Sequence, residues 1–572
     1  MADQVGPTKL GRVVLVLFVL LLVAGAAYYF RDMLAPSGRD TGEVDLDALR
    51  GKVEAPDTAG ITTVNEYAYV PAERLPAVQG VSSYRWDDAE KVVDFPITVW
   101  IGWLPIVAAN GGFGPSEESI FFRDHGFKVN LRLIDDPVVA RDAFASGDSH
   151  VLWGTLDMMV LFAPELMKDS RTAPRIVQQV DWSNGGDGIV VRGDVQSVQD
   201  LRGKSVVYAQ NSPSQYLLNN LLINAGVQPG EVEHRYTATA FEAATAFVSD
   251  SSIDACVSWA PDIYNIPERV PGTRILTTTA EANKLIADVW AVRADFAKDH
   301  PDIVAGLVEG IFKAMEELKS DTFRAQAHQW MADGYGMALG EVQGMAADAH
   351  TTNFAENKSF FLNQNEPANF ERTWKNVSFV YRELGLIDSP VPFDSVMDFT
   401  YIQQLDAAGT FAGQQDEYRT TFVPTTYSTV RAEAPILTQT IRINFYPNSA
   451  NIFEPRHDEL GNVIADSLYD PSAEATLEKV ARLAGQYERA VVAVVGHTDS
   501  SMKGQVPFDQ VQMLSLQRAE AVKKELVEDY GFEPDKFVVE GEGWNLPADP
   551  EDTGNHALNR RVTISVYPPE AQ

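Results

Sequence analysis

The chain has 572 residues, 45% of them hydrophobic and 22% charged, so it is long enough for two or three globular domains. Its formal net charge of -34 argues against a nucleic-acid partner, because a phosphate backbone requires a basic surface. Cys256 is the only cysteine, which excludes an internal disulfide and a cysteine-based metal site. The nine histidines show no paired spacing, so no metal and no cofactor is predicted.

An apolar run near the N-terminus predicts membrane targeting. Residues 13–30 read VVLVLFVLLLVAGAAYYF, which is about one bilayer thickness as a helix. Lys9 and Arg12 precede the run, so residues 1–12 are expected in the cytoplasm and the rest outside it. Two interpretations remain open. The run is either a single-pass inner-membrane anchor with the bulk of the chain in the periplasm, or a signal peptide cleaved near Ala24 that releases a periplasmic protein. The aromatic end of the run favours the anchor.

Composition and periodicity divide the rest of the chain into four segments. Residues 31–92 are rich in Asp, Glu, Pro, Gly and Thr, which predicts a linker. Residues 93–405 alternate short β-branched or aromatic runs with helical stretches, a pattern typical of an α/β domain with a mainly parallel sheet. Residues 406–436 are turn-rich and predict a second linker or a surface segment, and residues 437–568 form a second α/β pattern.

Aromatic and polar residues follow several predicted strands of the central domain. Ligands bind open α/β sheets beyond the carboxyl ends of the strands, so these residues are predicted to face a ligand. The predicted ligand-binding residues are Trp103, Trp153, Thr155, Asp157, Trp182, Asn211, Ser212, Ser214, Trp259 and Asp262.

The chemistry of these residues favours a positively charged ligand. Aromatic faces with carboxylates nearby, including Asp187, suit an organic cation or amine through cation–π contact, and few Lys or Arg residues occur in these segments. Alternatives remain open. Each Trp could belong to the core, Asn211, Ser212 and Ser214 could only cap a helix, and helix N-termini could hold an anion.

The order of the motifs in the central domain resembles that of a known family. ASGDSHVLWGT, DWSNGGDGIVVR, DLRGKSVVYAQNSPSQYLL and DACVSWAPD are similar to segments of periplasmic substrate-binding proteins for nitrate, sulfonate, taurine and thiamine-precursor uptake. The resemblance implies a type 2 periplasmic-binding-protein fold, in which two α/β lobes close by a hinge on a small molecule.

The C-terminal segment contains a carboxylate and a guanidinium that could act together. Asp499 ends the buried-strand run RAVVAVVGHTDS. Ser515 is a suitable N-cap for the following helix, which places Arg518 in the first turn. A basic residue is disfavoured there, so Arg518 is expected to have an acidic partner or ligand. Asp499 could take an ammonium group and Arg518 a carboxylate, although the two could also simply pair with each other.

The same segment resembles the OmpA/MotB peptidoglycan-binding family. The motifs IRINFYPNSANI, GHTDS, LSLQRAEAVKKEL, GEGWNLP and NRRV occur in the family's order. In that family the Asp of GHTD and the Arg of LSxxRA hold the diaminopimelate of wall stem peptides, which corresponds here to Asp499 and Arg518. The resemblance also implies that Thr498, Asn559 and Arg560 line the groove.

Three classes of function were weighed. The first is a membrane-anchored, wall-tethered solute-binding protein that serves an ABC-type transporter or acts as a sensor. The second is an envelope scaffold whose binding fold carries no ligand. The third, an enzyme, is disfavoured because the sequence has no GxSxG motif, no P-loop and no metal-ligand spacing. The predicted partners are peptidoglycan, a small molecule, and a membrane transporter or envelope complex.

Overall fold

The computed structural model describes residues 60–571 except 73, 74, 79, 194, 434, 447, 459, 461 and 551–558. The predicted membrane span at 13–30 lies outside the described residues. Within the described part of the chain, no helix is long and apolar enough to cross a membrane.

The central domain is a two-lobed α/β structure, as the resemblance implied. Its strands are β1 (Tyr69–Val70), β2 (Val92–Ile97), β3 (Lys128–Leu133), β4 (Val151–Thr155), β5 (Pro174–Ser183), β6 (Asp187–Arg192), β7 (Ser205–Ala209), β8 (Glu233–Thr237), β9 (Ala255–Trp259), β10 (Thr273–Thr278), β11 (Ala287–Arg293) and β12 (Ala349–Thr351). The first lobe holds a sheet of order β12-β5-β11-β4 and the pair β2-β3, and the second lobe holds a sheet of order β1-β8-β7-β9-β6-β10.

Helices cover the sheets of both lobes. They are α1 (Leu104–Asn110), α2 (Ile120–His125), α3 (Pro137–Ser146), α4 (Leu156–Leu166), α5 (Pro213–Asn224), α6 (Ala240–Ser249), α7 (Asp262–Arg269), α8 (Ala294–Asp299), α9 (Pro301–Glu317), α10 (Asp321–Tyr335), α11 (Leu339–Gly344), α12 (Phe354–Leu362), α13 (Phe370–Glu383) and α14 (Thr400–Ala408). Local signals set their ends. Asp136 caps α3 by accepting bonds from the first amides, and Thr239 forms a capping box with Glu242 at the start of α6.

The prediction of a mainly parallel sheet is wrong. Among the described strand pairs of the central domain, only β2-β3, β7-β8 and β7-β9 are parallel, whereas β11 lies antiparallel between β4 and β5 and β6 lies antiparallel to β9 and β10. The physical reason is that the chain enters the second lobe after β5 and returns after β10. The strand that follows each crossover, β6 or β11, therefore runs antiparallel to its neighbours in the sheet that it joins. The alternation of residues along a strand does not reveal this direction.

Two short segments carry the chain between the lobes. Residues 184–186 lead from β5 into β6, and residues 279–286 lead from β10 into β11. We call them the first and second crossovers. They lie at the strand ends that face the space between the lobes, so they position the candidate ligand site.

The C-terminal domain is a second α/β unit. Its strands are β13 (Leu437–Ile441), β14 (Pro455–His457), β15 (Val463–Leu468), β16 (Val491–Gly496), β17 (Phe537–Gly541) and β18 (Val562–Tyr567), with sheet order β13-β18-β16-β17 and a separate β14-β15 pair. Its helices are α15 (Tyr427–Val430), α16 (Ala473–Gln486) and α17 (Phe508–Tyr530).

The predicted start of the long C-terminal helix is wrong. The helix α17 begins at Phe508 after Pro507, so Ser515 is not an N-cap and Arg518 lies in the middle of the helix. Pro507 fixes the backbone at the helix entry and outweighs the capping signal seven residues later. The first-turn argument for an acidic partner of Arg518 therefore fails, and the case for the site rests on geometry.

Both segments predicted as linkers contact the central domain where they are described. The backbone N–H and hydroxyl of Thr63 donate to Asp262 Oδ1 at 2.9 and 2.8 Å. In the second segment the ring of Tyr418 stacks on His350 with centroids 3.9 Å apart. These contacts order parts of both segments, and the proposed domain boundaries stay predictions.

Candidate ligand cleft and wall-binding groove

A small cavity lies between the two lobes. Its free volume is about 20 Å³, room for about one water molecule, and both lobes contribute side chains to it. Its lining residues are Thr98, Trp100, Trp153, Thr155, Asp187, Pro213, Trp259 and Asp288. A ligand larger than a water molecule therefore requires the lobes to move apart.

Three tryptophans form the aromatic part of this cavity. Trp100 lies three residues after the end of β2. Its ring lies directly against the backbone of Gly186 in the first crossover. Trp153 is held by its Nε1, which donates to Ile134 O at 3.1 Å. The Nε1 of Trp259 is buried and has no hydrogen-bond partner in the described structure. A buried donor without a partner is costly, so this nitrogen is available for a ligand atom.

Asp187 brings a carboxylate to the cavity. Its Oδ2 accepts a hydrogen bond of 2.6 Å from Ser183 Oγ, whereas its Oδ1 is buried without a partner in the described structure. Burial raises the pKa of Asp187 to about 7, because the charged form has lost its hydration. The orphaned oxygen is an acceptor that a ligand N–H could satisfy.

Asp181 and Asp288 form a close acidic pair beside the cavity. The two residues are register partners on β5 and β11, and Trp100 Nε1 donates to Asp181 Oδ2 at 3.3 Å. Burial raises the pKa of Asp181 to about 8, and burial followed by the charge of Asp181 raises the pKa of Asp288 well above its usual value. Both carboxyl groups are therefore mostly protonated at neutral pH.

The acidic character extends beyond these residues. Burial raises the pKa of Asp157 to about 6 and that of Asp348 to about 7. Within the described residues, no Lys, Arg or His forms an ion pair with any of the five carboxyl groups, Asp157, Asp181, Asp187, Asp288 and Asp348. Buried acidic groups without a basic partner among the described residues therefore lie in and around the cleft, and an ammonium group would favour their ionised form.

The second candidate site lies at the end of β16, where Asp499 meets Arg560 and Arg518. Asp499 is buried; its Oδ1 accepts from the backbone N–H of Ser501 at 2.7 Å, and its Oδ2 lies 3.2 Å from Arg560 Nε. Thr498 Oγ1 is buried without a hydrogen-bond partner in the described structure, and Asn559 Oδ1 accepts from the backbone N–H of residue 548 at 2.7 Å.

Arg518 is held in place from one side only. Its Nε donates to Ser449 O at 3.1 Å, and its guanidinium lies over the Phe445 ring, 4.9 Å from the centroid. Burial lowers the pKa of Arg518 to about 10. Within the described residues it forms no ion pair with Asp499, so its two terminal nitrogens remain available to a carboxylate.

Family models match both halves of this architecture. The NMT1/THI5-like model matches residues 116–322, and the OmpA family model matches residues 464–561. The chain combines an NMT1/THI5-like substrate-binding domain with a C-terminal OmpA domain. Both predicted resemblances are thereby confirmed.

Individual relatives match one domain each. The taurine-binding periplasmic protein of Escherichia coli is 27% identical over 203 residues, which are 35% of this chain and 60% of that protein. Outer membrane protein Omp38 of Acinetobacter baumannii is 33% identical over 91 residues, 16% of this chain and 24% of that protein. The chain thus spans less than two thirds of either relative.

The solved periplasmic aliphatic sulphonate binding protein of Escherichia coli superposes with a TM-score of 0.42 at 17% identity. The superposition covers 53% of this chain and 96% of that one.

Three of the ten predicted ligand residues line the cavity of the substrate-binding domain: Trp153, Thr155 and Trp259. Trp103 lies one layer deeper, fully buried with its ring centroid 6.4 Å from that of Trp153. Trp182 packs edge-on against Phe360 instead. The structure therefore brings together the tryptophans at the ends of β4 and β9 and leaves the other two outside.

The predicted polar residues occupy other environments. Asp157 accepts from the Tyr381 hydroxyl at 3.2 Å, and Asp262 is engaged by the N-terminal segment on the far side of the second lobe. Ser212 Oγ donates to its own turn, which is a local structural bond. Asn211 adopts a φ of 60° at the same turn, and Ser214 Oγ is buried without a partner in the described structure.

Sequence reasoning missed Thr98, Trp100, Asp181 and Asp288. Trp100 lies three residues before the predicted Trp103, so the sequence indicated the right loop but the wrong tryptophan. Asp181 and Asp288 lie inside apolar strands, where a lone Asp predicts nothing by itself. Their significance comes from strand register, because Asp288 is paired with Thr155 on one side and Asp181 on the other.

Proposed function

We propose that the chain is a wall-attached periplasmic substrate-binding protein that holds a small organic cation or amine in its interlobe cleft. The observation that carries the ligand class is that two buried carboxyls, Asp187 and Asp288, line the cavity together with three tryptophan rings and have no basic partner among the described residues. We further propose that it delivers this ligand to an ABC-type transporter or senses it, and that it is not an enzyme.

Charge decides between a cation and an anion in this cleft. A cation over a desolvated tryptophan face gains about 2 kcal/mol, and its attraction to a carboxylate in a low-dielectric site adds to this. An anion at the same place would face Asp187, which is partly ionised at neutral pH because its pKa is about 7, and no Lys or Arg among the described residues pairs with it to offset the repulsion. The orphaned Asp187 Oδ1 favours a ligand that donates an N–H, so primary and secondary amines are expected to bind better than quaternary ones.

A thermal-shift series tests the ligand class. We expect putrescine, choline or tetramethylammonium to raise the melting temperature of the full-length protein. A ligand at about 100 times its Kd increases the free energy of unfolding by about 2.7 kcal/mol. Ethanesulfonate and nitrate serve as the opposing panel. Stabilisation by these anions with no response to any ammonium compound would contradict the proposal.

Substitutions in the cleft locate the effect. Asp187→Asn keeps the shape of the side chain and removes its charge, so it should abolish the response to ammonium compounds. Asp262→Asn is the matched control, because Asp262 is equally buried and acidic but is bonded to Thr63 outside the cavity. Equal loss in both variants would show that the response does not come from the cleft.

For the OmpA domain we propose binding to the diaminopimelate of wall stem peptides. Asp499 would take the ammonium group of its amino-acid end and Arg518 the carboxylate, with Arg560 beside Asp499 in the groove. Thr498 and Asn559 would complete the groove. The position of Arg518 supports this, since its Nε donates to Ser449 O and its guanidinium packs on Phe445, whereas no ion pair of Arg518 with Asp499 occurs among the described residues.

Binding to purified sacculi tests this part. The full-length protein should co-sediment with sacculi, and Arg518→Ala or Asp499→Ala should release it to the supernatant. Lys524→Ala is the matched control, because Lys524 is an exposed cation on the same helix and pairs with the exposed Glu528. If the Arg518 and Asp499 variants sediment as well as the unchanged protein, the groove is not the wall site.

A second candidate is a ligand-free scaffold that links membrane to wall. One observation opposes it: Trp259 Nε1 and Asp187 Oδ1 are buried at the cavity without hydrogen-bond partners among the described residues, and a scaffold without a ligand would leave them unsatisfied.

We also propose a membrane anchor at residues 13–30. If it is present, the mature protein isolated from the envelope should keep its N-terminal residues and stay in the membrane fraction.

A further inference from the structure

The OmpA domain touches the substrate-binding domain at both crossovers. The contact comes from one loop, Gln486–Arg489, which lies between α16 and β16. Arg489 Nη1 donates to Asn184 Oδ1 in the first crossover at 2.8 Å, and the backbone N–H of Arg489 donates to Asn283 Oδ1 in the second at 3.3 Å. A single residue of the wall-binding domain therefore bonds to both connections between the lobes.

The second crossover is held by further contacts. The backbone N–H of Lys284 donates to Gln486 O at 3.1 Å, and Lys284 Nζ lies 2.7 Å from Glu488 Oε2. Both side chains are largely buried, so this ion pair is shielded from solvent. The Tyr418 ring lies under the Arg489 guanidinium at 4.9 Å and completes the contact.

The loop is rigid within its own domain. Lys536 is buried, and its Nζ donates to three backbone carbonyls of the loop region: Tyr487 O and Glu488 O at 2.7 Å and Ala490 O at 2.9 Å. Three charge-assisted bonds from one ammonium fix the loop backbone. The loop therefore moves with the C-terminal sheet and does not absorb a movement of the crossovers.

The strand β16 joins this contact to the wall-binding groove. It starts two residues after Arg489 and ends at Gly496, three residues before Asp499. Its six residues span about 20 Å at 3.3 Å each. The contact of the Gln486–Arg489 loop with the crossovers and the candidate wall site thus lie at opposite ends of one central strand.

We propose that the OmpA domain has a further function as the reporter of cleft occupancy. Opening and closing of the two lobes changes the backbone of the crossovers, as hinge motion in two-lobed proteins requires. The docked loop bonds best to one crossover geometry, so docking and cleft closure stabilise each other, and by linkage the effect is reciprocal. Occupancy of the cleft then sets how firmly the wall-binding domain is held against the lobes. The proposal adds to the proposed function and does not depend on which ligand the cleft takes.

The test measures both sides of the coupling in one variant and needs no ligand. Spin labels at Val139→Cys and Glu268→Cys report the distance between the lobes, and labels at Val139→Cys and Met513→Cys report the distance between the two domains. The three positions are exposed, and the native Cys256 is fully buried. In the full-length protein, Arg489→Ala should broaden both distance distributions, and backbone amides of residues 184–187 should exchange about tenfold faster.

Two further variants complete the design. Trp100→Phe loosens the cleft at the first crossover, so by reciprocity it should broaden the distance between the domains. Lys524→Ala should change neither distribution. Arg489→Lys keeps a cation but not the paired donors, and it replaces Arg489→Ala if the latter lowers the melting temperature strongly.

The outcomes separate clearly. If Arg489 variants broaden the domain distance but leave the lobe distance and the crossover exchange unchanged, or change neither distance, the coupling is overturned while the cation site stands. If the coupling is found and no ammonium compound binds, the ligand proposal fails and this one stands.

Discussion

Trp100 Nε1 donates a hydrogen bond to Asp181 while the edge of the same indole ring lies against the backbone of Gly186. One side chain therefore connects the acidic pair of the first lobe to the first crossover. A movement of the first crossover would therefore shift the Trp100 ring and change its hydrogen bond to Asp181.

Substitution of Gly186 should disturb this arrangement. A Cβ at this position would come within 2.2 Å of Trp100 Cη2, so Gly186→Ala must displace the ring. Overpacking of this kind costs about 1–3 kcal/mol of unfolding free energy, and the displaced ring should weaken binding of ammonium compounds. Both are measurable by chemical denaturation and calorimetric titration. Gly114→Ala, where a Cβ would have nothing within 4 Å, is the control.

The stability of the ligand-free protein should fall as the pH rises from about 4 to 8. The pKa of Asp187 is raised to about 7 by burial, whereas an unfolded Asp titrates near 3.9. The protonated form is favoured in the fold, so its stabilising effect is complete below the unfolded pKa and is lost as the pH passes the folded pKa. The full loss for one such group is up to about 4 kcal/mol.

Asp187→Asn should remove part of this pH dependence. At pH 8 the variant should be more stable than the unchanged protein, and at pH 4 the two should be alike, as followed by urea denaturation at each pH. Asp321→Asn, at a side chain that is 93% exposed, should leave the profile unchanged. A profile for Asp187→Asn that still runs parallel to that of the unchanged protein would count against the assignment.

Binding of a permanently charged cation should strengthen with rising pH. Tetramethylammonium does not titrate, so any pH dependence belongs to the protein. Its affinity should increase between pH 6 and 8, because Asp187 and Asp181, with pKa values of about 7 and 8, become charged in this range. Each proton released on binding gives up to a tenfold change per pH unit. Calorimetry in buffers of different ionisation enthalpy measures the release directly, and its absence would contradict the model.

Lys536 should be a strong determinant of stability in the OmpA domain. Lys536→Met leaves three carbonyls of the Gln486–Arg489 region without their donor, and we expect a loss of about 3 kcal/mol or more in unfolding free energy. Lys524→Met, at an exposed i,i+4 pair, should cost no more than about 0.5 kcal/mol. Equal midpoints in urea for the two variants would show that the loop does not depend on Lys536.

The sequence by itself determined the class of both domains and the candidate wall site. Asp499 and Arg518 lie in short motifs, GHTD and LSLQRA, whose identity does not depend on distant packing. Trp153 and Trp259 end apolar strand runs, and in an α/β fold that position alone places them at the ligand edge. Local sequence patterns are sufficient to predict a site residue when its role follows from its position at the end of a strand or helix.

Only the tertiary structure decided which side chains share the cleft. Asp181 and Asp288 meet because β5 and β11 pair in one register across a crossover, and Trp100 reaches Gly186 because the lobes close on each other. The contact of Arg489 with Asn184 joins residues 305 positions apart. Strand register and lobe closure depend on the summed packing of many distant residues, so no local pattern encodes them.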